Sequence, residues 1–354
     1  MKKICFIVAA VLLLSGCRGE KSEIPSIVID TSNNTQVCLS EIAEKIDRVE
    51  LEVTDKSLIR EVRYVEILNN HFFIHHGVLD EVLMFDVNGR FIKQVGRIGR
   101  GPGEYTDVLK IAVDMDRQEL FLNTQQGIII FDDAGEHVKS VKDGIPYLPA
   151  SIFVHNKQLL SVNRSVDGIS REITVFLTTH NTSNWNLMDS VFVTGFSDHF
   201  FTPYFLSQSN QSIFLYYYDF WNIETGKKSD VDTLYVLENH KLTPYLTTHF
   251  KGKRNPTSKI VMTDNYGIVT HAISVQDPDA KYPRSVYSQY YFNLHTMKGK
   301  NATNGFIDDF YGNNDVLITP IANTNMFYYY RENDYSSDLK TTPNPTLYIG
   351  TFKK

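Results

Sequence analysis

The chain has 354 residues, 42% of them hydrophobic and 21% charged, and its 35 basic and 41 acidic side chains leave a formal charge of −6. This mild acidity gives no electrostatic footprint for nucleic acid or for an anionic membrane surface, and three cysteines are too few for a disulfide scaffold. A packed core must therefore hold the fold, and 22 Phe with 20 Tyr suit the pleated, half-buried surfaces of strands.

The first element in chain order reads as an export signal. Lys2 and Lys3 form a short basic region, and residues 4–14 form one uninterrupted apolar run, too short to span a bilayer as a stable helix. The run ends in Leu14-Ser15-Gly16-Cys17. That ending resembles the bacterial lipobox, in which a cysteine is lipidated on sulfur and becomes the new N-terminus. The resemblance assigns residues 1–16 to a signal peptide and makes Cys17 the lipidation site. Cleavage would leave 354 − 16 = 338 residues, with 35 − 2 = 33 basic against 41 acidic side chains, or −8. Cys5 would leave with the signal and Cys17 would be acylated, so Cys38 stands alone and no intramolecular disulfide is expected. No later stretch is long, apolar and charge-free, so the expected membrane attachment is the lipid alone.

Residues 17–45 read as a tether and lead-in. Residues 40–47, Ser-Glu-Ile-Ala-Glu-Lys-Ile-Asp, are the one short helical candidate in a chain otherwise patterned for strands. From residue 46 to 354 the chain reads as a single all-β body.

That body contains a repeat. Residues 83–95, Leu-Met-Phe-Asp-Val-Asn-Gly-Arg-Phe-Ile-Lys-Gln-Val, return as residues 129–141, Ile-Ile-Phe-Asp-Asp-Ala-Gly-Glu-His-Val-Lys-Ser-Val, at an offset of 46. Each copy is a strand, an Asp-x-x-Gly turn and a second strand, with the glycine expected at positive φ. Strand pairs over 62–76 and 108–123 precede the two copies at the same offset of 46. Four antiparallel strands per ~46 residues is the content of a propeller blade. Further strand pairs follow at 151–163 with 172–180, 204–218 with 233–249, 259–275 with 285–295, and 305–330 with 346–352. The predicted fold is a six-bladed β-propeller of about 50 residues per blade. An open ring would leave a strand edge exposed. Residues 46–53, Ile-Asp-Arg-Val-Glu-Leu-Glu-Val, alternate apolar and polar and are expected to complete the last blade beside 346–352.

Phe85-Asp86-Val87-Asn88-Gly89-Arg90-Phe91-Ile92, followed by Gly96-Arg97-Ile98-Gly99-Arg100-Gly101-Pro102-Gly103-Glu104-Tyr105, resembles the six-bladed β-propeller lipoproteins of Bacteroides-type bacteria, relatives in pattern of the NHL-repeat propellers. Asp232-Thr233-Leu234-Tyr235, Asp308-Asp309 before Pro320, and Asn344-Pro345 also resemble that family's later blades. The resemblance implies a fold and an envelope location, on the outer membrane, and no reaction.

The remaining signals concern ligands. The glycine-rich run over 96–105 lacks the Gly-Lys-Ser/Thr ending of a phosphate loop and precedes a strand. It reads as a connector between blades with Tyr105 packed inside, or as a binding loop through Arg100, Glu104 and Tyr105. His71 and His75 share one strand face and His76 the other; His75 is a candidate contact at the channel mouth. Tyr216-Tyr217-Tyr218-Asp219-Phe220-Trp221 and Phe327-Tyr328-Tyr329-Tyr330-Arg331 read as packing between blades or as an aromatic platform, with Trp221 as the exposed candidate. Asp114, Asp116, Asp277, Asp279, Asp308 and Asp309 could contribute carboxylates to a channel ion, yet Asp-x-Asp in turns usually caps backbone. No calcium-loop spacing and no Gly-x-Ser-x-Gly is present. The sequence calls for no cofactor and no metal. The expected function is a non-enzymatic binding or assembly module for a protein, peptide or glycan; the competing class is a metal-dependent lyase or hydrolase sited in the central channel.

Overall fold

The computed structural model describes residues 24–32, 35–142, 149–168, 170, 172–197, 203–217, 231–251, 258–276, 283–333 and 343–354. Blade one is the antiparallel meander Val62–Leu68, His71–His76, Glu81–Asp86 and Phe91–Val95. Blade two repeats it with Lys110–Asp114, Glu119–Thr124, Gly127–Asp132 and His137–Val141. Blade three runs from Ser151–His155 to Leu187–Ser197, blade four from Tyr204–Ser209 to Lys241–Lys251, and blade five from Ser258–Met262 to Gly299–Ala302. Blade six joins Thr319–Pro320, Met326–Arg331 and Thr346–Phe352 to the early strand Ala43–Glu50. The six blades form the ring of a six-bladed β-propeller.

The period-2 pattern of each strand decides which neighbour it faces. In the innermost strand of blade one, Val65 and Ile67 pack with Tyr328 and Leu347 of blade six. Tyr64 and Leu68 point the other way, onto Val108, Ile111 and Val113 of blade two. Such interblade layers are the core.

The two copies of the sequence repeat fold alike down to their hydrogen bonds. Asp86 Oδ1 accepts from the Asn88 and Arg90 amides, and Asp132 Oδ1 accepts from the Ala134 and Glu136 amides. Gly89 and Gly135 take φ +81 and +73, the left-handed conformation that such a turn requires of its glycine.

Closure follows the predicted pairing, with Ile46 opposite Gly350 and Val49 opposite Leu347 in an antiparallel register. The strand begins at Ala43 and ends at Glu50, earlier than its alternation suggests. The predicted helix over 40–47 is therefore corrected: only Leu39–Glu41 forms a 3-10 turn. Pairing along the exposed edge of Thr346–Phe352 and burial of Ile42, Ala43 and Ile46 against blades five and six outweigh weak local helix propensity.

The lead-in is also more than a tether. Ser26–Asp30 pairs parallel with Lys241–Lys251 as a fifth strand on blade four, and Ile27 and Ile29 are buried in the layer between blades four and five. Further on, Val37 and Leu39 fill the layer between blades five and six.

Candidate functional site

The innermost strands of all six blades surround a central channel holding a cavity of about 260 Å³. Because these strands alternate between neighbours and run around one axis, a few non-apolar side chains are delivered to the cavity wall from different blades. Four define its chemistry: Glu66 from blade one, Lys110 from blade two, Lys259 from blade five and Tyr328 from blade six. Blades two and five lie three apart in a ring of six, so the two lysines enter from opposite sides.

Each lysine lies over an aromatic ring of the preceding blade. Lys110 Nζ is 3.8 Å from the centre of the Tyr64 ring, and Lys259 Nζ is 5.3 Å from the centre of the Phe205 ring. These are cation–π distances, which hold an ammonium without neutralising it. Among the described residues neither lysine forms a salt bridge. Burial pulls Lys259 down to about 8, and the charge of Lys110 adds repulsion.

Glu66 is buried, with Oε2 lacking any hydrogen-bond partner. Burial pushes its carboxyl up to about 8, Lys110 opposing the rise. Near neutral pH the Glu66 carboxyl is thus largely protonated while Lys259 keeps its charge; Arg63 and Asp264 also line the cavity. Tyr328 is held well above the ordinary phenol range, first by burial and then by the charge of Glu66.

His75 stands one layer behind this wall. Its ring stacks on Tyr64 at 5.7 Å between centres and 18° between planes, and burial pulls it down to about 3, so it stays neutral. Its Nε2 lies 3.4 Å from Asp80, which also pairs with Arg63 at 3.3 Å. His76, on the opposite face, sets its Nδ1 3.1 Å from the Val78 amide and its Nε2 3.3 Å from the Arg60 amide, and its one unprotonated nitrogen accepts from one of them.

The glycine-rich loop turns inward on itself. Arg97–Ile98 and Glu104–Tyr105 form a short parallel pair. The Glu104 carboxylate accepts from the Arg100 and Gly101 amides at 2.8 and 2.7 Å and pairs with Arg97. The Gly101 amide and then Arg97 hold its pKa below the usual carboxylate value. A Cβ at Gly99 would come within 2.1 Å of the carboxylate, so a side chain there would displace it from the clasp. Tyr105 is fully buried between blades one and two; its hydroxyl donates to the Val95 carbonyl and accepts from the Val82 amide. Burial pushes that phenol up to about 12.

Of the candidate contacts named from the sequence, His75, Arg100, Glu104 and Tyr105 do not line the cavity. Cys17 and Trp221 lie outside the described residues, as do Asp277 and Asp279. Asp114 Oδ1 caps the Asp116 and Arg117 amides; Asp308 Oδ1 caps Phe310 and Tyr311, and its Oδ2 accepts from the Tyr329 hydroxyl and pairs with Arg331. Among the described residues no three His, Cys, Asp or Glu side chains gather as a metal ligand set.

The channel residues escaped the sequence reading although a signal was present. The 46-residue offset that relates blades one and two sets Tyr64 against Lys110 and Glu66 against Ala112. A charge replacing an aromatic or an alanine at matching inner-strand positions marks a wall that packing does not dictate.

A ring of six blades, five of four strands and one of five, around a polar channel defines this molecule as a six-bladed β-propeller. The chain belongs to the family of the domain of unknown function DUF4934, whose profile matches residues 24–348. A Bacteroides fragilis protein described as exported is similar in structure at a TM-score of 0.63 and 14% identity, covering 93% of this chain and all of that one. A Bacteroides vulgatus member of the DUF4221 family follows at 0.49 and 11% identity, covering 88% of this chain and 97% of that one. The extracellular domain of a Bacteroides thetaiotaomicron protein described as a one-component system stands at 0.42 and 12% identity, over 85% of this chain and 36% of that one. Comparison with the curated proteins gives no sequence match.

Proposed function

We propose that this chain is a lipid-anchored binding module of the cell envelope, attached to the outer membrane through Cys17, that takes part of a protein, peptide or glycan ligand into its propeller channel. The observation that carries the reading is the channel itself: a cavity of about 260 Å³ whose wall holds uncommitted polar groups from opposite blades. Small-molecule pockets run from roughly 300 to 1,000 Å³, so this volume suits one ligand group with the remainder lying on the propeller face. The anchor is supported by Leu14-Ser15-Gly16-Cys17 behind an apolar run, and the envelope location agrees with the description of the Bacteroides fragilis protein as exported.

A panel of glycans and peptides titrated into the full-length protein and into Tyr64→Ala and Phe205→Ala variants tests the channel. Binding by the parent that both variants lose supports the reading, and binding that ignores both moves the site elsewhere. Membrane fractionation of Cys17→Ser tests the anchor: the variant is expected in the soluble fraction, and its retention with labelled fatty acid refutes lipidation at Cys17.

A channel-sited enzyme is the second reading. Glu66 and Lys259 both stand near pH 8, the range in which an acid and an amine exchange protons with a substrate. Turnover of a bound panel member that Glu66→Gln abolishes without loss of binding would favour it.

A further inference from the structure

The charged groups of the channel wall are not equivalent. Arg63 is committed to Asp80 and to the Gly77 carbonyl, and Asp264 caps the Asn210 amide at an exposed turn. Lys110, Lys259 and Glu66 remain. Two ammonium groups enter from opposite blades, each resting on an aromatic face and neither forming a salt bridge among the described residues. In the same wall, within the electrostatic reach of Lys110, stands the buried Glu66 carboxyl with an unpartnered oxygen. Two like charges held in a confined space repel, and a buried polar atom without a partner is costly. One ligand group relieves both costs: an anion that the ammonium groups neutralise and to which the protonated carboxyl donates a hydrogen bond.

Resting on the reading of the propeller as a binding module, we propose that the channel binds a single anionic group, a carboxylate or phosphate borne by a small ligand, between Lys110 of blade two and Lys259 of blade five, with Glu66 as the third contact. A cavity of about 260 Å³ accommodates such a head group. A cation is disfavoured there by both lysines. A neutral group leaves their repulsion unrelieved.

Thermal melting of the full-length protein at constant ionic strength tests this with inorganic phosphate, glucuronate and, as the neutral counterpart, glucose. Phosphate or glucuronate is expected to raise the melting temperature saturably, whereas glucose and added chloride are not. Lys110→Met and Lys259→Met should each weaken the apparent affinity at least tenfold, and Lys259→Arg, which keeps the charge, should preserve it. A response to phosphate alone assigns a phosphate ligand, and a response to glucuronate alone a carboxylate. Absence of a saturable shift with either anion, or an equal shift in the Lys110→Met/Lys259→Met double variant, overturns the proposal. If a neutral glycan or peptide then binds in a manner lost in Tyr64→Ala, the binding-module reading survives and only the anionic assignment fails.

Discussion

Lys110 holds its Nζ 3.8 Å above the centre of the Tyr64 ring, a cation on an aromatic face supplied by the neighbouring blade. The contact ties blade one to blade two at the channel wall, and His75 stacks on the same tyrosine behind it. A double-mutant cycle of Lys110→Met and Tyr64→Leu is expected to give a coupling energy of about 0.5–2 kcal/mol. Additive effects in chemical denaturation would show that the two side chains are merely near each other.

Glu66 sets a pH dependence. Its carboxyl is raised from 4.5 to about 8 in the fold, so the folded state binds the proton more tightly than the unfolded chain. The associated stability is fully present below about pH 4.5 and is lost as the pH rises through about 8. Glu66→Gln removes that loss. The variant should melt close to the parent at pH 4.5 and several degrees above it at pH 9. A melting difference that stays constant across this range contradicts the burial argument. Lys259, lowered from 10.5 to about 8, acts in the opposite sense: its cost is present below pH 8 and disappears as the pH rises from 8 towards 10.5. Lys259→Met is therefore expected to gain most at pH 7.

The glycine-rich loop separates two roles. Tyr105 is a fully buried ring with both hydroxyl bonds made to backbone; Tyr105→Ala should cost about 3–5 kcal/mol, the usual penalty for deleting a large core aromatic. Glu104→Gln leaves that core intact and weakens only the carboxylate clasp on the Arg100 and Gly101 amides. Faster hydrogen exchange at those two amides, with a much smaller change in melting than Tyr105→Ala, is the expected result. A Tyr105→Ala protein melting within error of the parent would falsify the packing role.

The N-terminal strands make separable contributions. Removing residues 17–31 strips the fifth strand from blade four and exposes the apolar surface that Ile27 and Ile29 cover. At about 1.5–3 kcal/mol for each buried side chain, the shortened protein should melt lower yet elute without aggregation. Removing residues 17–54 also withdraws Ala43–Glu50 from Thr346–Phe352, opens the ring and leaves an unpaired edge. Size-exclusion chromatography should then show aggregation. Equal melting and equal elution of the two truncations rule out closure by this strand.

The repeat, the blade count and the closure are legible along the chain, because these rest on local chemistry that recurs. Asp86-x-x-Gly89 and Asp132-x-x-Gly135 form the same turn, since the aspartate caps its own backbone and glycine takes the required φ most readily. Alternation in residues 46–53 likewise announced a strand with one buried face, although not its start at Ala43. The place of Ser26–Asp30 on blade four emerges only on folding, because a parallel pairing some 220 residues away leaves no local mark. The channel was decided in the same way. Glu66, Lys110, Lys259 and Tyr328 are unremarkable strand residues in sequence, and they meet because ring closure turns one edge of every blade toward a common axis. Glu104 shows the converse: its motif drew attention in the sequence, but the loop folds around its carboxylate and uses it there.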